Sequence, residues 1–187
     1  MSAAADLARQ LHTTDRSVRR AVDNGLIRGT RPSPRKLVIP ARERVYLIRY
    51  WPLLSTLRRA LRTEPNVAFA AVYGSIARGD ADEDSDIDLL VDLRHDDPDA
   101  AAALRRRLES ITGRQVGLAH LSHTERDAPL LLAAVLQDGR VIVDRSGTWD
   151  ALHRRRPQIE KRASRSFSRQ MHETQEALDR LNGRVER

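Results

Sequence analysis

Two periods organise the apolar positions of this chain. Val67 to Tyr73 is an unbroken apolar run that stops at Gly74-Ser75, and Ile87 to Leu93 is a second run with aspartates at its start. Short apolar runs bounded by glycine and polar turns predict buried strands. Gln115 to Leu121 and Arg140 to Asp144 predict two more. Elsewhere the apolar residues recur every three or four positions, the period of a helix. That pattern covers Leu7, Ala8 and Leu11, then Val18, Ala21 and Val22. It returns over Ala41 to Thr63, where Val45, Ile48, Leu53, Leu54, Leu57 and Leu61 form a stripe, and over Asp99 to Thr112 and Ala128 to Gln137. Ile159, Ala163, Phe167, Met171, Leu178 and Leu181 continue it near the C-terminus. Thr14 is placed to cap the second helix and Gly113 to end the helix before it. Pro52 lacks a backbone donor and is expected to kink or split the long helix.

The pattern divides the chain into residues 1–40, a connector helix over 41–64, a core over 65–146 and a basic amphipathic segment over 147–187. Charge follows these divisions. Residues 1–65 carry 14 basic and 5 acidic side chains, residues 66–146 carry 9 and 15, and residues 147–187 carry 10 and 6. Basic arms flanking an acidic centre point to a polyanionic partner for the arms. Only Lys36 and Lys161 are lysines, so 31 of the 33 basic residues are arginine, a bias that GC-rich coding also produces. The absence of cysteine excludes disulfides and thiolate metal sites. No apolar stretch approaches the ~20 residues that span a bilayer, and the N-terminus lacks a signal-peptide pattern. A cytoplasmic protein without a membrane partner is expected.

The chemistry gathers between the first two core strands. Side chains alternate along a strand, so Asp86 and Asp88 point the same way while Ser85 and Ile87 point the other. Paired carboxylates repel unless a cation lies between them, and hard oxygen ligands suit Mg²⁺, which takes one or two carboxylates together with substrate phosphates. Gly74 permits a sharp turn and close approach of a ligand. Ser75 is placed to cap the short helix that follows, whose first backbone N–H groups attract phosphate. A P-loop is a poorer reading, because Asp80-Ala81 stands where Lys-Ser/Thr belongs. A calcium loop counted from Asp80 fails as well, with Ser85 at the glycine position and Val91 at the glutamate position. The plain alternative is a solvated acidic turn.

The segments Gly-Ser-Ile-Ala-Arg-Gly and Ser-Asp-Ile-Asp-Leu-Leu-Val, spanning Gly74 to Val91, resemble the signature of the DNA polymerase β-like nucleotidyltransferases, above all the minimal members of toxin–antitoxin pairs. The resemblance implies an α/β (α+β) core. In it Asp86 and Asp88 hold Mg²⁺ and do the catalytic work, while Gly74, Ser75, Arg78 and Ser85 bind the nucleotide. It also implies transfer of a nucleoside monophosphate, AMP first, from NTP (ATP as cofactor and substrate) to a protein or RNA hydroxyl. The family places a third carboxylate on the third strand, where this chain has Val116-Gly117-Leu118. His120 and His123 lie near enough in sequence to be weighed as a base.

Residues 5–22 resemble the helix-turn-helix of bacterial regulators, with His12 where the turn commonly has glycine. Arg28 to Pro40, folded about Pro32-Ser33-Pro34, reads as the wing of a winged helix. DNA contacts are then expected from Arg16, Ser17, Arg19, Arg20, Arg31, Arg35 and Lys36. The C-terminal segment reads as a helix packing on the core, pairing two copies as a homodimer, or docking a partner toxin. Two other functions stand beside nucleotide transfer. One is a regulator or antitoxin that keeps the fold without catalysis, favoured by Gly117; the other is a transferase acting on tRNA held by the basic arms.

Overall fold

A computed structural model of the chain describes residues 3–33, 36–95 and 97–185. Two short helices, α1 (Ala3–Gln10) and α2 (Asp15–Asp23), are followed by an antiparallel pair, β1 (Thr30–Ser33) and β2 (Lys36–Val38). Thr14 caps α2 by accepting a hydrogen bond from Ser17 N at 3.1 Å. His12 adopts the left-handed conformation with φ 50°, so the turn forms with the histidine in the place glycine would favour. Leu7, Ala8, Leu11, Val18 and Ala21 are buried together beneath it.

The long helix α3 (Ala41–Arg62) leads into the core: β3 (Val67–Tyr73), α4 (Gly74–Arg78), β4 (Ile87–Leu93), α5 (Pro98–Thr112), β5 (Val116–His120), α6 (Leu121–Asp127), α7 (Pro129–Asp138) and β6 (Arg140–Asp144). The sheet order is β5-β4-β3-β6. β3 runs antiparallel to both β4 and β6, and β4 runs parallel to β5. Apolar side chains cover both faces. One face packs Ala70, Val72, Leu89 and Val91 with α3 and α5. The other packs Phe69, Ala71 and Leu90 with Leu132, Val135 and Ile159 of α7 and the C-terminal helix. Strands buried on both faces explain why β3 and β4 read as continuous apolar runs rather than alternating ones.

Three expectations change. Pro52 does not split α3, which is one helix from Ala41 to Arg62. The stripe holds only in part: Leu54, Leu57 and Leu61 are buried as expected, but Val45 and Ile48 are 69% and 60% exposed, and Glu43, Tyr46, Leu47 and Tyr50 are buried in their stead. The C-terminal segment forms two helices, α8 (Thr148–Arg154) and α9 (Arg156–Val185). The start of α9 packs on the core through Ile159 and Ala163, whereas Phe167 and Met171 are each 55% exposed. The side chain of Leu181 lies outside the described ones. Among the described residues no helix is long and apolar enough to cross a membrane.

One buried ion pair ties the N-terminal elements to the core. Arg140, 2% exposed, grips Glu43, 3% exposed, in a forked pair at 2.5 and 3.0 Å. Its remaining donors reach Leu26 O at 3.2 Å and Ala77 O at 2.9 Å. Its guanidinium lies over the Tyr46 ring, 3.5 Å from the centroid. Glu43 in turn accepts from Arg28 N at 2.9 Å. A charged residue on an otherwise apolar helix face is tolerated because every side of the pair is occupied.

Candidate nucleotide site

The site is built at the corner between β3 and β4. β3 ends where Gly74 takes φ +69°, and α4 starts there. No side chain caps α4, whose N-cap is Tyr73, so Ser75 lies inside its first turn rather than capping it. The corner is closed by Gly79 N and Asp80 N, which donate to Ser75 O at 2.8 and 3.1 Å. The loop beyond is held from outside. Arg49 Nη2 and Tyr50 Oη donate to Ala81 O at 2.7 and 3.0 Å, and Arg114 Nη2 donates to Asp82 O at 2.5 Å.

Pairing fixes the neighbours of Asp88. It lies opposite Tyr73 on β3 and opposite Gly117 on β5. A Cβ added at Gly74 would collide with Asp88 Oδ2, and one added at Gly117 would lie 3.1 Å from Asp88 Oδ1. The carboxylate therefore occupies a slot between two backbones that have no side chains there. Burial and then the charge of Asp86 push the Asp88 carboxyl above the ordinary carboxylate range, with Arg78 pulling the other way. Burial and the Asp88 charge likewise raise the Tyr73 phenol. Asp86, just before β4, is exposed.

The remaining residues are placed as follows. Arg78 is exposed and pairs with Asp80 at 3.2 Å. Ser85 is turned into the acidic loop, where its hydroxyl bonds the Asp82 carboxylate and accepts from Asp82 N at 2.9 Å. The Ser85 hydroxyl holds the Asp82 carboxyl below the ordinary range. His120 pairs with Val91, three positions along β5 from Gly117, or about 10 Å at strand spacing. Its ring stacks on His123 at 5.7 Å.

Two hard carboxylates beside a corner that a Cβ would fill fit a single Mg²⁺ with phosphate oxygens supplying its other ligands. Among the described residues no three His, Cys, Asp or Glu side chains converge on one point, in keeping with Gly117 in the third position. The sequence did not single out the residues that brace the corner: Arg49, Tyr50, Arg114 and the Glu43–Arg140 pair. The signal for them was present in Tyr46 and Tyr50, a helical turn apart on the face that also carries Glu43.

Of the N-terminal arginines, Arg19 pairs with Asp15 at 2.7 Å and Arg31 with Asp23 at 2.7 and 3.0 Å. Arg16, Arg20 and Lys36 are exposed. Ser17 shares the cap with Thr14, their hydroxyls 2.9 Å apart. Arg35 lies outside the described residues.

A mixed sheet of this order, with a glycine corner after β3 and paired aspartates at the start of β4, is the fold of the polymerase β-like nucleotidyltransferases. The family model described as Polymerase beta, Nucleotidyltransferase matches residues 55–148, and the chain belongs to that family. Among solved structures, a toxin–antitoxin with AMP-PNP is 19% identical, with a TM-score of 0.49 over 68% of this chain and 97% of that one. A tri-AMPylated HEPN toxin in complex with MNT antitoxin from Shewanella oneidensis is also 19% identical, with a TM-score of 0.45 over 70% of this chain and 97% of that one. No protein of curated function matches the chain.

Proposed function

We propose that the protein is a nucleotidyltransferase that moves a nucleoside monophosphate, AMP first among candidates, from an NTP to a hydroxyl of a protein or RNA. The observation that carries this reading is the Asp88 carboxylate slotted between Gly74 and Gly117 with Asp86 beside it. In that reaction the acceptor hydroxyl loses its proton to solvent as its oxygen bonds to the α-phosphorus, the bond from that phosphorus to the bridging oxygen breaks, and pyrophosphate leaves. Asp86 and Asp88 would hold Mg²⁺, which neutralises phosphate charge when bound. The Gly74 corner lets the triphosphate approach the backbone N–H groups of α4, and Arg78 is free to exchange its exposed pairing with Asp80 for a phosphate. A protein acceptor would be a partner toxin, so that transfer silences it; an RNA acceptor would be tRNA.

Two short helices followed by a two-stranded hairpin support reading the N-terminal elements as a winged helix-turn-helix, to which exposed Arg16, Arg20 and Lys36 would supply phosphate contacts to DNA. Gly117 favours a second reading, in which nucleotide is bound without turnover and the protein works as a regulator. Labelled NTP, Mg²⁺ and candidate protein and RNA acceptors separate the two. Transfer that disappears in Asp86→Ala supports the enzyme. Magnesium-assisted nucleotide binding without transfer supports the regulator, and absence of both sinks the site.

A further inference from the structure

Away from the acidic corner, two clefts meet along the C-terminal half of α3. One, of about 460 Å³, is bounded by Arg20 of α2 and Asn24 just past its end, Arg58 and Arg62 of α3, and the outer edge of β6. The other, of about 390 Å³, shares Arg58 and Arg62 and adds Ser17, Trp51 and Arg59. Arg58 and Arg62 border both clefts, so an arginine-lined groove runs along α3 beside α2, with β6 at one end.

Its charge is not balanced from within. Asp144 borders the first cleft, but its oxygens accept from Ser146 N, Thr148 N and Trp149 N at 3.2, 3.1 and 3.0 Å and so cap α8. Arg145 is also spoken for: it binds the last carbonyls around the end of α3, Leu61 O at 3.2 Å, Arg62 O at 2.9 Å and Glu64 O at 2.9 Å. Arg20, Arg58, Arg59 and Arg62 form no ion pair with an acidic side chain among the described residues. Burial, and then the charges of Arg62 and Arg20, lower the Arg58 guanidinium from its ordinary value. Like charges gathered around the half-buried Arg58 repel one another, and an anion in the groove relieves that repulsion.

The shape selects the anion. From Trp51 to Arg62 the groove follows α3 for about 16 Å at 1.5 Å per residue. A nucleic-acid strand presents one phosphate per ~3.4 Å of duplex axis, so several would lie along it; a mononucleotide would occupy one end only. We propose that this arginine groove is a backbone-phosphate site for duplex DNA, in which the connector helix and the α2 helix clamp one strand between them. The assignment rests on the DNA-binding reading of the N-terminal elements and is independent of nucleotide transfer. It makes the edge of the nucleotidyltransferase sheet part of the DNA interface.

The test uses the full chain with a short labelled duplex of mixed sequence, titrated at several salt concentrations, and a single-stranded RNA of equal length as competitor. Arg58→Gln/Arg62→Gln is compared with wild type and with Arg105→Gln/Arg106→Gln, which removes equal charge from the exposed face of α5. Each lost phosphate contact flattens the slope of log affinity against log salt by about 0.9. The expected result is a slope reduced by about 1.8 in the groove variant, with affinity at low salt down about tenfold or more and the α5 variant close to wild type. Arg62→Glu, a change at an exposed side chain, is expected to weaken binding at least as much as the single loss and serves if the double variant does not fold. Groove and α5 variants that match in slope overturn the groove and leave DNA binding standing. A wild-type chain that ignores duplex overturns both readings. RNA that outcompetes duplex and shows the same loss in the groove variant overturns the assignment to DNA.

Discussion

Asp88 and Gly117 face each other across the parallel pairing of β4 and β5, and a side chain on Gly117 would begin 3.1 Å from Asp88 Oδ1. The position that would complete a triad of carboxylates is therefore adjacent to the site and empty of side chain. Gly117 is not among the residues with positive φ, so other residues fit its backbone. Gly117→Asp should strengthen Mg²⁺ binding measured by calorimetry. If transfer is limited by the missing ligand, the rate should rise about tenfold, equivalent to ~1.4 kcal/mol of barrier. Unchanged metal affinity in a folded variant would show that this position does not reach the cation.

Gly74 is the opposite case. Its φ of +69° disfavours a side chain, and a Cβ there meets Asp88 Oδ2. Gly74→Ala should lower stability by ~1–2 kcal/mol from the backbone alone. It should also displace the carboxylate, so that magnesium-assisted nucleotide binding falls by more than the melting temperature suggests. A variant that binds nucleotide as wild type does would remove the corner from the site.

The raised Asp88 carboxyl makes stability depend on pH with a definite sign. The unfolded chain releases this proton in the ordinary carboxylate range, whereas the native state retains it to higher pH. The native state thus holds more protons in between, and stability without metal falls as pH rises through that window. Metal affinity runs the other way, because ligands must be deprotonated, and should weaken as pH falls through the raised value. Asp88→Asn should therefore lose metal binding and yet melt above the metal-free wild type at neutral pH. A melting point below wild type would count against repulsion in the slot.

Glu43→Gln tests the buried pair. It leaves the Arg140 charge enclosed with only neutral partners, a change that typically costs about 3–5 kcal/mol. Thermal unfolding should shift down by roughly 6 °C or more, at about 2–4 °C per kcal/mol. An exposed pair such as Arg9–Asp6 should give less than ~1 kcal/mol when broken the same way. Equal effects at the two pairs would mean that the interior pair is not sealed from water.

The strands and the corner were legible because local chemistry dictates them: glycine at the bend, unbroken apolar runs on both sides, aspartates at the mouth of the second. Arg140 to Asp144 was read with its observed bounds for the same reason. Apolar periodicity found the C-terminal half of the inward face of α3, Leu54, Leu57 and Leu61, but not its N-terminal half. There the inward residues are Glu43 and Tyr46, which meet Arg140, 97 positions beyond Glu43, and Tyr50, whose hydroxyl meets Ala81 O. Val45 and Ile48 look like core in a helical count, but they lie on the outer side. The placement of Ser85 likewise depended on a partner in the loop, Asp82, that spacing alone does not choose.

Arg140 anchors a strand, a helix start and the segment after α2 with a single guanidinium, and this has a practical result for anyone dissecting the protein. A cut between residues 64 and 65 would leave each fragment with half of an electrostatic lock and a naked charge on its new surface. Fragments made that way should be insoluble or poorly folded, and chimeras with related cores should succeed only when Glu43 and Arg140 travel together.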